Sequence, residues 1–148
     1  MPDAADELLS LNQQLLESIA AGDWDTYHRL CDPSLTAFEP EALGHLVEGM
    51  NFHRFYFDRK PSGPGERGTG VSPVRMGETP MPRNTTMVAP KVRLLGDVAI
   101  ITYVRLVQRL DEQQRPVTIA YEETRVWHKQ SSGWRHVHFH RSQNGKYA

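Results

Sequence analysis

Three arginines stand at chemically useful positions on the last three strands that the sequence predicts. Side chains alternate between the two faces of a strand, and this alternation puts Arg105, Arg125 and Arg141 on faces that are otherwise largely apolar. An unpaired charge on a buried face is strongly destabilising, so each guanidinium group needs an anionic partner. Tyr103 and Glu123 share these faces, and the Glu123 carboxylate is suited to partner one of the arginines.

Two kinds of site fit these arginines. In the first, they form a structural ion-pair network with carboxylates of the same chain, and Glu39 or Glu41 serves beside Glu123. In the second, they line an open cavity that binds a carboxylate or a phosphate through charge-assisted hydrogen bonds. Because arginine is permanently cationic, it binds anions but transfers protons poorly, so we predict no catalytic residue and no cofactor.

The histidines of the last predicted strand form a second polar pattern. The same alternation predicts that Trp134, His136, His138 and His140 share one face. A His-x-His pair on one face can ligate zinc, but the sequence places no further histidine or acidic ligand beside it. We therefore predict no metal site.

The segments that must position these residues follow periodic patterns. Apolar residues recur at steps of three and four from Leu8 to Ile19, which predicts an amphipathic helix. Asp3 or Asp6 is suited to cap its start, and Gly22 to end it in the left-handed conformation. Further helices are expected over residues 24–30 and 50–58.

After residue 84 the chain alternates between apolar and polar residues, which predicts long strands joined by hairpin turns. Helices followed by an antiparallel meander indicate the α+β class, with a curved antiparallel sheet wrapped around the first helix. The predicted strands cover residues 85–95, 98–110, 116–129 and 134–141.

The strand over residues 98–110 is apolar on both faces, whereas a sheet with one solvated face should alternate. Val98, Ile100, Val104 and Leu106 lie on one side, and Ile101, Tyr103 and Val107 lie on the other. One face can cover the long helix. Burial of the other face against a second copy of the chain is the simplest explanation, so we predict a homo-oligomer.

Composition limits the other possibilities. The 148 residues suit a single domain over 1–148, interrupted by a flexible insertion at about 59–83 that contains five glycines and five prolines. With 17 Lys and Arg against 18 Asp and Glu, a nucleic-acid or membrane-surface partner is not expected. The single cysteine, Cys31, and the lack of a signal pattern favour a cytoplasmic protein.

Several long segments resemble one known family. Residues 21–33 read AGDWDTYHRLCDP, 31–49 read CDPSLTAFEPEALGHLVEG, 52–57 read FHRFYF, 122–128 read EETRVWH, and 137–142 read VHFHRS. These segments are similar to the association domain, or hub, of calcium/calmodulin-dependent protein kinase II. The chain contains none of the glycine-rich nucleotide loop, HRD or DFG motifs of a kinase catalytic domain, so we expect no enzymatic activity.

The resemblance implies a cone-like nuclear-transport-factor-2-like fold and a non-catalytic hub. Members of the family form dimers that close into two stacked rings, so a dodecamer, a tetradecamer or a larger ring is expected. The partners implied are the chain itself, kinase hub subunits and acidic peptide segments. The alternative is an isomerase or dehydratase that works in the cone cavity, because this fold hosts both classes.

The resemblance also implies a pocket for carboxylate ligands. The three arginines match those that line the pocket of the family, and His53 in FHRFYF matches a residue that contacts small carboxylates there. The complete set of predicted ligand-binding residues is Arg105, Arg125, Arg141, His53, Glu123 and Tyr103.

Overall fold

The structure is a computed structural model that describes residues 3–59 and 83–147. Except for its two end residues, the predicted insertion at 59–83 lies outside the described residues. The helices are α1 (Ala4–Ala21), α2 (Trp24–Leu30) and α3 (Asn51–Arg59), with a short 3-10 helix at Pro40–Ala42. The strands are β1 (Cys31–Phe38), β2 (Val47–Glu48), β3 (Arg83–Leu95), β4 (Val98–Leu110), β5 (Pro116–Gln130) and β6 (Gly133–Tyr147).

Both ends of α1 are capped. The Asp3 carboxylate accepts a hydrogen bond from the backbone N–H of Asp6 at 2.8 Å, which makes Asp3 the N-cap of the two candidates. Gly22 ends the helix with φ 70°, a left-handed conformation that glycine adopts without a steric penalty. The predicted start and end of this helix are therefore confirmed.

The strands form one six-stranded sheet in the order β2-β1-β6-β5-β4-β3. Its consecutive long strands pair antiparallel, as predicted, but β1 runs parallel to β6. This pairing departs from the all-antiparallel expectation because β1 comes before the meander in the chain and lies beside its last strand, running in the same direction. A parallel pair needs a long connection, which the intervening chain supplies.

The core lies between α1 and the inner face of the sheet. Leu8, Leu15 and Leu16 on α1 are completely buried, as are Ile101 and Trp127 on the sheet. The only α1 polar side chain that is completely buried among the described residues is that of Asn12, and it accepts a hydrogen bond from Trp127 Nε1 at 3.0 Å. Burial of this apolar face is the main stabilising contribution of α1.

A bulge in β6 overturns the predicted histidine stripe. Val126 lies opposite His138 and Trp127 lies opposite His136, so Val137 is an extra residue without a partner of its own. The extra residue reverses the alternation. His136 is therefore completely buried on the inner face, where its ring stacks on Phe139 at 5.6 Å, whereas His140 is exposed on the outer face. The prediction that the four side chains share one face is wrong.

Within the described parts of the chain, no helix is long and apolar enough to cross a membrane.

Candidate functional site

A cavity of about 360 Å³ opens between the helices and the inner face of the sheet. Its walls combine apolar and aromatic side chains from α1, α3 and the sheet with four arginines. The arginines are Arg105, Arg109, Arg125 and Arg141. A cavity with apolar walls and a few convergent charged groups is the usual form of a small-ligand site.

Glu123 anchors the polar floor behind this cavity. The residue is only 3% exposed, and its carboxylate accepts hydrogen bonds from the Tyr103 hydroxyl at 2.6 Å, from Arg125 Nη2 at 3.0 Å and from Arg105 Nη1 at 3.2 Å. Burial alone would raise the pKa of Glu123, but the charges of Arg125 and Arg105 outweigh it and lower the pKa to about 2. The carboxylate is therefore ionised and holds both guanidinium groups.

Arg125 is the most deeply buried of the pocket cations, at 1% exposure. Its Nε donates to the Tyr103 hydroxyl at 3.1 Å, and its guanidinium lies 4.1 Å from the centre of the Phe139 ring. Its Nη1 is buried and has no hydrogen-bond partner among the described residues. Arg125 lines the cavity and thus keeps one strong donor without a partner in the described chain.

The other side of the cavity carries a second ion-pair group. Arg141 Nη2 donates to Glu39 Oε1 at 3.2 Å and also to the Glu41 carboxylate, and its guanidinium lies 4.8 Å from the centre of the Tyr121 ring. His53 Nε2 lies 3.0 Å from Glu39 Oε2. Burial opposes ionisation of Glu39, but the hydrogen bond and charge of His53, together with Arg141, lower the pKa of this carboxyl group.

One ring nitrogen of His53 has a hydrogen-bond partner, and the other has none among the described residues. A carboxylate only accepts hydrogen bonds, so Nε2 carries the proton that faces Glu39. Nδ1 is buried and, within the described part of the chain, has no partner. It is an acceptor when the ring is neutral and a donor when the ring is protonated.

All six residues predicted for the site lie in this region, but they do not play equal parts. Arg105, Arg125, Arg141 and His53 line the cavity, whereas Tyr103 and Glu123 lie behind the arginines and hold them. Glu39 and Glu41 pair with Arg141, as the network interpretation proposed. Sequence reasoning missed Arg109, which the alternation pattern along β4 places on the same face as Arg105 and which could have been found in that way.

A separate polar pair lies deeper in the core. Cys31 Sγ is 3.4 Å from His136 Nδ1, and both side chains are buried. Burial raises the pKa of the Cys31 thiol to about 12, so the thiolate that a nucleophile or metal ligand requires is not formed. Across residues 3–59 and 83–147, no group of three or more His, Cys, Asp or Glu side chains is arranged to hold a metal ion.

Comparison with known proteins shows which family the chain belongs to. Residues 4–70 and 74–145 match the family described as the calcium/calmodulin dependent protein kinase II association domain. The chain belongs to this family. It matches the association domain and not the catalytic domain of the kinase, so it is a non-catalytic module with a role in self-association.

Two curated relatives are full kinases. The chain is 47% identical over 141 residues to the type II alpha chain of calcium/calmodulin-dependent protein kinase from Drosophila melanogaster, covering 95% of this chain and 24% of the relative. It is 45% identical to the type II subunit delta from Oryctolagus cuniculus, covering 92% of this chain and 23% of the relative. The association domain therefore spans about a quarter of the length of these curated relatives.

Solved structures of hub domains have the same fold. The Chlamydomonas reinhardtii hub homology domain is 46% identical, with a TM-score of 0.81 over 97% of this chain and 100% of that one. The C. elegans association domain is 41% identical, with a TM-score of 0.77 over 93% of this chain and 94% of that one. An NTF2-like protein from Cytophaga hutchinsonii, 16% identical with a TM-score of 0.64 over 96% of this chain and 99% of that one, shares the fold alone. The α+β, nuclear-transport-factor-2-like prediction is confirmed.

Proposed function

We propose that this association domain closes into a homo-oligomer of two stacked rings, a dodecamer, a tetradecamer or a larger ring. The observation that carries the proposal is the apolar outer face of β4. Val98, Ile100, Val104 and Leu106 point away from α1 and are only half-buried in the single chain. A second copy that packs on this face removes the remaining apolar surface from water, and closed symmetry stops further growth.

The mass of the purified chain in solution tests the assembly. Native mass spectrometry at micromolar subunit concentration should return a multiple of 16.9 kDa that corresponds to at least twelve subunits. A mass equal to one or two subunits would contradict the ring. Open-ended filaments of variable length in electron micrographs would contradict a closed ring.

The same domain is proposed to bind a carboxylate group, from a small molecule or an acidic peptide segment, in the arginine-lined cavity. Two features support this function. First, Arg125 Nη1 is a buried donor without a partner among the described residues. Second, Arg109 is the fourth guanidinium group that lines the cavity, whereas only three carboxylates of the described chain pair with the pocket arginines. These carboxylates are Glu39, Glu41 and Glu123. A bound carboxylate would supply a charge-assisted hydrogen bond to a buried guanidinium group.

Calorimetric titration with benzoate tests this function, because its ring suits the aromatic walls and its carboxylate suits Arg125. The wild-type chain should bind benzoate saturably, and the ligand should raise the melting temperature. Arg125→Lys keeps the charge beside Glu123 but removes the guanidinium fork, and should lower the affinity by about tenfold or more. The matched control is Arg29→Lys at an exposed position of α2, which should bind like wild type.

The domain extent, the partners and the location of the chain are also proposed. Residues 1–148 act as one domain, and the chain co-assembles with kinase hub subunits through the same faces that it uses for itself. A cytoplasmic location and the lack of nucleic-acid or membrane partners stay predictions from composition. Solved structures titled putative ketosteroid isomerase share only 17% and 19% identity with the chain, so their likeness concerns the fold and gives no support to the enzyme alternative.

A further inference from the structure

We propose that Glu41 is a competing carboxylate built into the pocket, which occupies Arg141 when no ligand is bound and must leave when a carboxylate ligand enters. The inference rests on the proposed carboxylate-binding function and assigns Glu41 as the residue that sets the affinity and anion selectivity of that pocket. It differs from a purely structural role, in which Glu41 would stabilise the fold and leave ligand affinity unchanged.

The two carboxylates that meet Arg141 differ in how firmly they are held. The Glu39 side chain is 8% exposed and has two hydrogen-bonding neighbours, Arg141 and His53. The Glu41 side chain is 41% exposed and contacts Arg141. An exposed ion pair is weak and easily exchanged, whereas a buried carboxylate with two partners is not. Glu39 is therefore part of the permanent network, and Glu41 is the exchangeable member.

The position of Glu41 in the cavity supports competition with an incoming anion. Glu41 lines the same cavity as Arg125, whose Nη1 lacks a partner among the described residues. Glu41 and Glu39 both accept a hydrogen bond from the same nitrogen of Arg141, Nη2, so two carboxylates compete for one donor group. A ligand carboxylate that replaces Glu41 meets the same Arg141 donor and lies in the cavity that Arg125 also lines.

The turn after Glu41 adds little packing that would hold this side chain against Arg141. Leu43 and Gly44 follow with φ 54° and φ 89°, both in the left-handed region, and the Leu43 side chain is 85% exposed. The left-handed conformation is unfavourable for leucine, and no burial of the Leu43 side chain compensates for it. Of the residues that follow Glu41, Ala42 packs against the core, whereas the exposed Leu43 side chain does not help to hold Glu41 in place.

The consequence is selection by charge. A carboxylate ligand can take over the contact that Glu41 makes with Arg141, so the exchange keeps the charge of the pocket balanced. A neutral molecule of the same shape offers no such replacement, and it binds with Glu41 still in place. Removal of the Glu41 charge should therefore strengthen the binding of carboxylates and leave the binding of neutral isosteres unchanged.

Titration of four proteins with two probes tests this inference. The proteins are the wild-type chain, Glu41→Gln, Glu41→Ala and Glu7→Gln. The probes are benzoate and its neutral isostere benzamide. Glu7→Gln makes the same charge change on the exposed face of α1, about 18 Å along the helix from the end that lines the cavity. Melting temperatures without ligand show whether each variant is folded.

Both Glu41 variants should bind benzoate about threefold to fivefold more tightly than wild type, the upper part of the range expected when a partly exposed ion pair no longer competes. Their affinity for benzamide should change by less than about twofold, and Glu7→Gln should match wild type with both probes. If wild type binds benzoate and the Glu41 variants bind it equally or more weakly, the inference is overturned while the carboxylate pocket stands. An equal gain for benzamide also overturns it, because Glu41 would then act by bulk and not by charge. No benzoate binding by any of the four proteins overturns both the pocket function and the inference.

Discussion

At the scale of single residues, Glu123 is the group on which the pocket depends. It is the ion-pair partner of two buried guanidinium groups, so Glu123→Gln leaves Arg105 and Arg125 buried without this counter-charge. Loss of one partner in a buried pair typically lowers the free energy of unfolding by about 3–5 kcal/mol. Glu112→Gln removes the same charge from the exposed hairpin between β4 and β5 and should change the free energy of unfolding by less than about 0.5 kcal/mol. Urea unfolding at one subunit concentration measures both, and equal effects would contradict the assigned role of Glu123.

His136 makes the stability of the domain depend on pH. Burial, reinforced by the charge of Arg125, holds the pKa of His136 well below its usual range. The unfolded chain therefore takes up a proton that the folded chain does not, so this contribution is complete above about pH 6.5 and is lost as the pH falls below it. The loss should reach about 1.4 kcal/mol per pH unit below that value.

The variant His136→Leu isolates this effect. Its free energy of unfolding should fall less steeply than that of wild type between pH 6.5 and 5.5, measured by urea unfolding at each pH. His45→Leu, at an exposed position on the loop before β2, is the control and should keep the wild-type slope. Parallel pH curves for wild type and His136→Leu would show that another group causes the acid sensitivity.

At the scale of elements, the chain between α3 and β3 is predicted to be dispensable for assembly. Its composition lacks aromatic residues and is dominated by glycine and proline, so it offers little apolar area for contact with a neighbour. Replacement of residues 61–82 by a short Gly/Ser loop should leave the oligomer mass and the melting temperature nearly unchanged, because each doubling of loop length changes closure free energy by only ~0.6 kcal/mol. Native mass spectrometry and thermal unfolding check this. Dissociation of the ring after replacement would show instead that the segment contacts a neighbouring subunit.

At the scale of the whole molecule, the outer face of the sheet should control the oligomeric state. Ile100 lies on this face between Arg93 on β3 and Val126 on β5, so a glutamate at this position has a cationic neighbour within its own chain. Ile100→Glu should therefore preserve the folded subunit but place a charge in the apolar contact with the second copy, and light scattering should report a much smaller mass. Gln14→Glu on the exposed face of α1 is the matched control and should keep the full mass. If Ile100→Glu still forms the full ring, the contact between copies lies on another face of the subunit.

Local patterns in the sequence determined the helices, the hairpin strands and the three arginines on the inner face of the sheet, because caps, turns and side-chain alternation depend on residues a few positions apart. The face of His136 was decided by the tertiary structure, since the extra residue at Val137 is defined only by the pairing of β6 with β5. The parallel pairing of β1 with β6 and the contact of Arg141 with Glu41 also join residues about a hundred positions apart. Such contacts depend on how the complete chain packs. The sequence could offer Glu39 and Glu41 as candidate partners for the arginines. Only the tertiary structure decided that both carboxylates meet Arg141 and that Arg125 Nη1 has no partner in the described chain.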